Sequence, residues 1–264
     1  MAKGSRGGQR AGGLTSGGGN IQPTINAQQI QQGQQTQQTQ VDDTQQAQAM
    51  SAQYDAFMGM TDDQKADVID SMIKQGVPVH LADNDFQKMI YNIGLNDKPQ
   101  LVDDATLNSM NGTELWRTVN NVYDRQNDIS YTADQIARQV QAGRVTRVSD
   151  NGGSVYGRGI YFADNQYDST LYGNTRGNVQ KTAQIRCKLN SNANVISHSK
   201  ATQGVNAEIR SGSKLGRTLR KCDRDSQASI YALAKGYNVI TSGHGYYNVL
   251  NRNAVTMSKT ISSI

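Results

Sequence analysis

The sequence predicts an α+β fold, and three observations lead to that prediction. After residue 113, short apolar or alternating segments outnumber helical ones, which is typical of a β-rich core. Strands and helices do not alternate regularly there, as they would around a parallel sheet. Before residue 113, a low-complexity stretch is followed by helical periodicity. We therefore expect two facing antiparallel sheets, preceded by a small helical subdomain and by a disordered arm.

Residues 1–45 are predicted to form a disordered, basic arm rich in glycine and glutamine. The first 50 residues contain no Phe, Tyr or Trp, and no acidic residue precedes Asp42. Such a composition cannot bury enough apolar surface to offset the entropy of the chain.

Residues 46–112 are predicted to form the helical subdomain. One helix follows Thr61, which makes a capping box with Gln64, and it ends at Gly76. A second, shorter helix ends at Gly94.

Residues 113–264 are predicted to form the β-rich domain. Its clearest helix begins with a second capping box, between Thr132 and Gln135, and the segment around Glu208 is predicted to be a loop. The predicted helices lie at 132–143, 165–173 and 225–236. The predicted strands lie at 114–119, 144–149, 158–163, 181–189, 238–241, 246–251 and 254–258.

Composition argues against several classes of protein. The two cysteines, Cys187 and Cys222, form no CxxC pair, so neither a zinc site nor a disulfide framework is expected. The chain lacks a run of 18 apolar residues and an apolar segment near its start, so neither a membrane helix nor a secretory signal is expected. The net charge of +5 is spread along the chain and gives only a weak indication of nucleic-acid binding.

The segment "SVYGRGIYFADNQYDSTLYG", residues 154–173, concentrates aromatic residues and glycines where a strand turns into a helix. Glycines at such a turn let the backbone approach a ligand closely. Gly159 leaves a thin strand edge where a flat ring can lie, and the tyrosine hydroxyls need hydrogen-bond partners. Core packing of these rings is the alternative interpretation.

The same residues resemble the signature of the ADP-ribosyltransferase superfamily, in its poly(ADP-ribose)-polymerase-like and diphtheria-toxin-like branch. After the "YGRGIYFAD" motif, Ser169 follows Tyr161 by eight residues and Tyr172 follows it by eleven, the two offsets of that family. The resemblance implies that Tyr161 and Tyr172 stack on the two faces of the nicotinamide ring of NAD. It also implies that Ser169 hydrogen-bonds the carboxamide.

Two further segments are similar to the same family, so that the resemblance spans roughly residues 113–260. "GTELWRTVN" resembles the first core strand, which implies that Arg117 contacts the diphosphate or ribose of NAD and that the Thr118 backbone meets the carboxamide. A surface ion pair is the alternative role for Arg117. The C-terminal "YYNVLN" resembles the closing strand, where active members carry a catalytic Glu. Tyr246 occupies that position here.

The missing Glu predicts slow turnover unless another carboxylate replaces it. Glu208, Asp223, Asp225 and a carboxylate of the substrate are the candidates. The candidate catalytic residues are Arg117, Tyr161 and Tyr246, and no metal is expected.

The resemblance implies a mono-ADP-ribosyltransferase that uses NAD as co-substrate, modifies a protein and releases nicotinamide. Water as the acceptor, which would make an NAD glycohydrolase, stays open. The alternative is a catalytically inactive NAD-binding or structural virion protein that keeps the fold. The Asn, Gln and Gly richness is similar to that of bacteriophage proteins. That association implies a place in the virion or the host cytoplasm, a bacterial protein as target, and an arm that contacts capsid or nucleic acid but not membrane.

Overall fold

The computed structural model describes residues 55–74, 98–124, 129–143, 159–173 and 182–263. The predicted arm at 1–45, the helix ending at Gly94 and the strand at 144–149 lie outside these ranges. The described α-helices are α1 (Asp62–Lys74), α2 (Asp104–Ser109), α3 (Ala133–Gln141), α4 (Gln166–Gly173), α5 (His198–Ser211), α6 (Lys214–Leu219) and α7 (Arg224–Ala234). A 3-10 turn spans Arg252–Ala254.

The described strands form one large sheet and a separate two-stranded ribbon. They are β1 (Gln100–Val102), β2 (Glu114–Asn120), β3 (Val122–Asp124), β4 (Ile129–Tyr131), β5 (Ile160–Ala163), β6 (Thr182–Leu189), β7 (Val195–Ser197), β8 (Val239–Thr241), β9 (Tyr246–Val249) and β10 (Val255–Ser263). The eight-stranded sheet has the order β1-β10-β6-β2-β5-β9-β8-β7, and β3 pairs with β4. The pairs β1–β10 and β7–β8 are parallel and the other pairs are antiparallel.

The α+β class and the mainly antiparallel pairing agree with the prediction, but the strands form one continuous mixed sheet rather than two facing sheets. The two halves of this sheet, β1-β10-β6-β2 and β5-β9-β8-β7, are joined by one residue pair, Trp116 with Ala163. The pairing between β2 and β6, in contrast, runs the full length of β2 from Glu114 to Asn120. The junction of β2 and β5 is therefore the weakest lateral contact at the centre of the sheet.

One face of the sheet packs against α3. Alternate residues of the central strands, among them Leu115, Ile160, Phe162 and Ile185, are buried there with Ile136 of the helix. The capping box predicted at the start of α3 is confirmed, because Thr132 and Gln135 exchange hydrogen bonds with each other's backbone. It satisfies two backbone N–H groups that the first helical turn leaves without partners.

The other face, at the β7–β8 edge, is covered by α1 and α5–α7. Phe57, Ala66 and Ile69 share this second core with Leu215 and Leu233. Phe57, Ala66 and Ile69 come from residues 46–112, the stretch predicted to form a helical subdomain. Strand β1 comes from the same stretch, and it pairs with β10 in the main sheet. The described residues of 46–112 thus pack into the same body as the C-terminal residues, within the compact unit 44–264.

The loop predicted around Glu208 is wrong, because residues 198–211 form α5. Its buried stripe is narrow, with Ala201 and Val205 as its fully covered residues, so the periodicity is weak in the sequence. A side chain at Gly216 would collide with the Glu208 carbonyl oxygen, 2.0 Å from an ideal Cβ. This glycine therefore permits α5 and α6 to pack closely.

Candidate functional site

The described part of the signature segment, from Gly159 to Gly173, forms a strand, a two-residue turn and a helix, as predicted. β5 ends at Ala163, and the Asn165 side chain then caps α4 by accepting a hydrogen bond from the Asp168 N–H at 2.8 Å. The cap starts the helix directly after the strand. As a result Ser169 lies one turn inside α4, on the side that packs against β2.

Strand register places several of the predicted site residues on one face of the sheet. Tyr161 pairs with Asn248, and Ala163 pairs with Tyr246. Ala163 also pairs with Trp116, two residues before Thr118. Because paired residues and alternate residues of a strand share a face, Thr118, Tyr161 and Tyr246 lie on the same face. We call it the site face.

Thr118 and Ser169 meet on the site face. Their hydroxyl oxygens are 2.9 Å apart, and Ser169 is only 4% exposed. This hydrogen bond connects β2 to α4 over 51 residues of sequence. Thr118 was predicted to act through its backbone, whereas the structure shows its side chain engaged with the predicted carboxamide-binding serine.

Gln184 completes this contact from the neighbouring strand β6. It pairs with Thr118 in register and is 1% exposed. Its side chain hydrogen-bonds Thr118 and Thr170, and it accepts from Gln166 at 2.8 Å. Sequence reasoning missed this residue. The glutamine between two apolar residues, Ala183 and Ile185, in a predicted strand was the available signal.

Arg117 points away from the site face, toward the core that contains Leu115 and Val119. It is 7% exposed, and its Nη1 donates to the Tyr161 carbonyl oxygen at 2.9 Å. The pairing of β2 with β5 stops beside this contact. Arg117 therefore holds the Tyr161 backbone across the junction. The structure does not bring its side chain to the site face, where it was expected to contact NAD, and its burial contradicts the surface position of the alternative role.

A second buried arginine lies near Arg117. Burial, and to a lesser extent the charge of Arg117, lower the pKa of Arg252 to about 9. The Arg252 guanidinium therefore stays protonated at neutral pH. Its coupling to Arg117 shows that two positive charges lie close together among buried residues.

Gly159 is buried, and the side chain of Asn248 covers it. A Cβ on Gly159 would lie 2.0 Å from Asn248 Oδ1. The structure thus places an amide, rather than open space for a flat ring, against this glycine. Gly159 permits the close approach of β9, and this contact positions Asn248 next to Tyr161.

Tyr246 is half-buried at the start of β9, next to Gly245. Its N–H donates to Ser242 Oγ at 3.3 Å, which closes the turn between β8 and β9. The Asp164 carboxylate packs against Gly245, where a Cβ would lie 2.6 Å from its Oδ1. Gly245 has φ +83°, so both its conformation and this contact favour glycine.

Two of the candidate replacement carboxylates are engaged elsewhere. Glu208 forms an ion pair with Lys235 at 2.8 Å and accepts from Ser213. The hydrogen bonds from Lys235 and Ser213 hold the pKa of Glu208 below its ordinary value. Asp223 caps α7 by accepting from the Ser226 N–H at 3.0 Å. The side chains of Asp225 and Tyr172 lie outside the described residues.

Comparisons of the chain with protein-family models, with curated proteins and with solved structures find no match. Within the described ranges, no group of three or more His, Cys, Asp or Glu side chains could hold a metal ion. None of the described helices is long and apolar enough to cross a membrane. The site is therefore defined by its own geometry: two hydroxyls, an aromatic ring and a buried amide beside the central junction of the sheet.

Proposed function

We propose that this chain is a mono-ADP-ribosyltransferase that moves ADP-ribose from NAD to a protein and releases nicotinamide. The observation that carries the proposal is the hydrogen bond between Thr118 and Ser169, with Tyr161 on the same face. This hydrogen bond joins the segment of Thr118 to the segment of Ser169, and each of these segments resembles the transferase family on its own. If the likeness were a chance match of one short motif, there would be no reason for the two segments to be in contact.

In the proposed complex, the chain's residues divide the recognition of NAD between them. The Tyr161 ring offers one face for stacking on the nicotinamide, and Ser169 offers its hydroxyl to the carboxamide. Arg117 braces Tyr161 and, with Arg252, adds positive charge that favours the anionic diphosphate. The bond between the ribose C1′ and the nicotinamide nitrogen breaks. A nucleophile of the acceptor protein then bonds to C1′ and loses its proton to solvent.

Tyr246, in place of a catalytic carboxylate, limits the rate of this reaction. Its phenol can hydrogen-bond the ribose, but the carboxylate that would offset the positive charge developing there is missing from this position. Glu208 and Asp223 support other parts of the fold. We therefore propose slow turnover with NAD binding better preserved than catalysis. The missing carboxylate at Tyr246 also favours the second candidate function, an NAD-binding protein without catalysis.

The composition supports a proposal about the setting of this activity. The Gln- and Gly-rich first 45 residues are similar to those of bacteriophage proteins, which favours a virion-associated protein with a bacterial protein as its acceptor. Contact of these residues with capsid or nucleic acid is part of the same proposal.

The test is incubation of the full chain with labelled NAD and a bacterial lysate, with protein-bound label and free nicotinamide measured separately. We expect slow labelling of protein that Ser169→Ala reduces, while Ser229→Ala, a buried serine of α7, leaves it unchanged. Nicotinamide release without labelling would indicate a glycohydrolase. NAD binding without either product would support the non-catalytic alternative.

A further inference from the structure

The buried amide of Gln184 lies among three hydroxyl-bearing residues whose hydrogen bonds determine one another. Its Nε2 lies 3.3 Å from Thr118 Oγ1 and 3.3 Å from Thr170 Oγ1. Its Oε1 accepts from Gln166 Nε2 at 2.8 Å. Thr118 Oγ1 in turn lies 2.9 Å from Ser169 Oγ. These contacts determine which of the hydroxyls of Thr170, Thr118 and Ser169 donates and which accepts in each hydrogen bond.

Thr170 settles the orientation of the Gln184 amide. Its hydroxyl donates to the carbonyl oxygen of Gln166 at 3.0 Å, the usual back-bond to the preceding helical turn. A hydroxyl has one proton, so Thr170 can only accept from Gln184. The amide atom that faces Thr170 must therefore be the nitrogen. The same nitrogen faces Thr118, and its two hydrogens serve the two threonines.

The orientation of Gln184 then decides which way the Thr118–Ser169 hydrogen bond runs. Thr118 Oγ1 accepts from Gln184, and among the described residues Ser169 Oγ is the remaining partner of the Thr118 hydroxyl. Thr118 therefore donates its proton to Ser169. Ser169 accepts at this contact, which leaves its own proton for a group outside the chain of hydrogen bonds.

We infer that the relay from Gln184 through Thr118 fixes Ser169 as a hydrogen-bond donor, so that the site selects a ligand with a carbonyl oxygen at this point. Gln184 and Thr118 are positioning residues, and Ser169 is the group that touches the ligand. The inference rests on the proposed function, in which that oxygen belongs to the carboxamide of NAD. A buried donor discriminates more strongly than an exposed one, because water does not replace a lost partner.

The experiment compares NAD with thionicotinamide adenine dinucleotide, in which sulfur, a weaker acceptor, replaces the carbonyl oxygen. Calorimetric titration of each compound into the full chain gives a ratio of dissociation constants. We expect the wild type to prefer NAD by about threefold to tenfold, the range of one hydrogen bond. Thr118→Val keeps the shape of the side chain and removes the relay, so its ratio should fall to near one. Gln184→Leu should have the same effect.

Gln141→Leu is the matched control. Gln141 is also buried, and its amide donates to the Ser258 carbonyl on the face of the sheet opposite the site. It should keep the wild-type ratio. A purely structural role for Gln184 or Thr118 would weaken both ligands equally and leave the ratio unchanged.

The possible results separate the inference from the proposed function. The relay is supported if the ratio of dissociation constants falls to near one in Thr118→Val and keeps its wild-type value in Gln141→Leu. Thermal melting identifies any variant that fails to fold. A ratio unchanged in folded Thr118→Val contradicts the relay while NAD binding still stands. Failure of the folded wild type to bind either compound contradicts the proposed function, and the relay's role in NAD recognition falls with it.

Discussion

Restoring a carboxylate at Tyr246 should accelerate the reaction. Tyr246 is diagonal to Tyr161 across β5 and β9, since their partners are Ala163 and Asn248, and diagonal neighbours are roughly 7–8 Å apart. A Glu side chain can therefore bring its charge close to a ribose attached to a ring on Tyr161. At about 4 Å and an effective dielectric constant of about 20, one negative charge stabilises a cation by about 4 kcal/mol.

That energy corresponds to roughly a thousandfold in rate, since about 1.4 kcal/mol gives a factor of ten. Tyr246 is half-exposed and Asp164 adds a like charge near Gly245, so solvent screening and a raised pKa of the new carboxyl reduce the gain. We expect Tyr246→Glu to raise kcat for nicotinamide release by about a hundredfold, with KM changed little.

The assay follows nicotinamide release at several NAD concentrations for the wild type, Tyr246→Glu and Tyr246→Gln. The Gln variant has the same length without the charge and should give no acceleration. If Tyr246→Glu binds NAD and turns over at the wild-type rate, Tyr246 does not occupy the catalytic position. Equal acceleration by both variants would show that loss of the phenol, rather than gain of charge, is responsible.

Three further predictions concern the stability of the fold. Glu208→Gln should leave NAD-dependent activity intact but lower the free energy of unfolding by about 1 kcal/mol at pH 7. Lys235 and Ser213 lower the pKa of Glu208 from 4.5, so the difference in unfolding free energy between wild type and Glu208→Gln should shrink below pH 4.5. A difference that stays constant with pH would contradict the role of the ion pair. Thr132→Ala removes the capping box of α3 and should cost about 1 kcal/mol in urea denaturation, an effect that Gln139→Ala on the same helix should not reproduce. Leu115→Ala, at a fully buried site, should cost about 3 kcal/mol, and a loss below 1 kcal/mol would contradict its place in the core.

Local chemistry explains why most of the strands and helices could be predicted. The capping box of Thr132 and Gln135 marks the start of α3, and alternation in "KTAQIRCKL" marks β6. Lateral order in a sheet depends on partners far apart in sequence, so the single eight-stranded sheet could not be predicted. The helix that contains Glu208 was missed because few of its residues are buried.

In the candidate site, too, the local features could be predicted from the sequence and the contacts between distant residues could not. Tyr161 and Ser169 belong to one local motif, and their spacing is visible in the sequence. Thr118 and Gln184 come to Ser169 from two other strands, and no local pattern announces that contact. The inward direction of Arg117 follows from the alternation of β2, which buries it with its odd-numbered neighbours.

The most direct test of the proposed NAD site is a calorimetric titration of NAD into the purified full chain and into Ser169→Ala, both shown to be folded. We expect saturable binding by the wild type and binding about threefold to tenfold weaker in the variant, because one hydrogen bond to the carboxamide is lost. Absence of NAD binding by the folded wild type, or equal affinity in the two proteins, would contradict the proposed site.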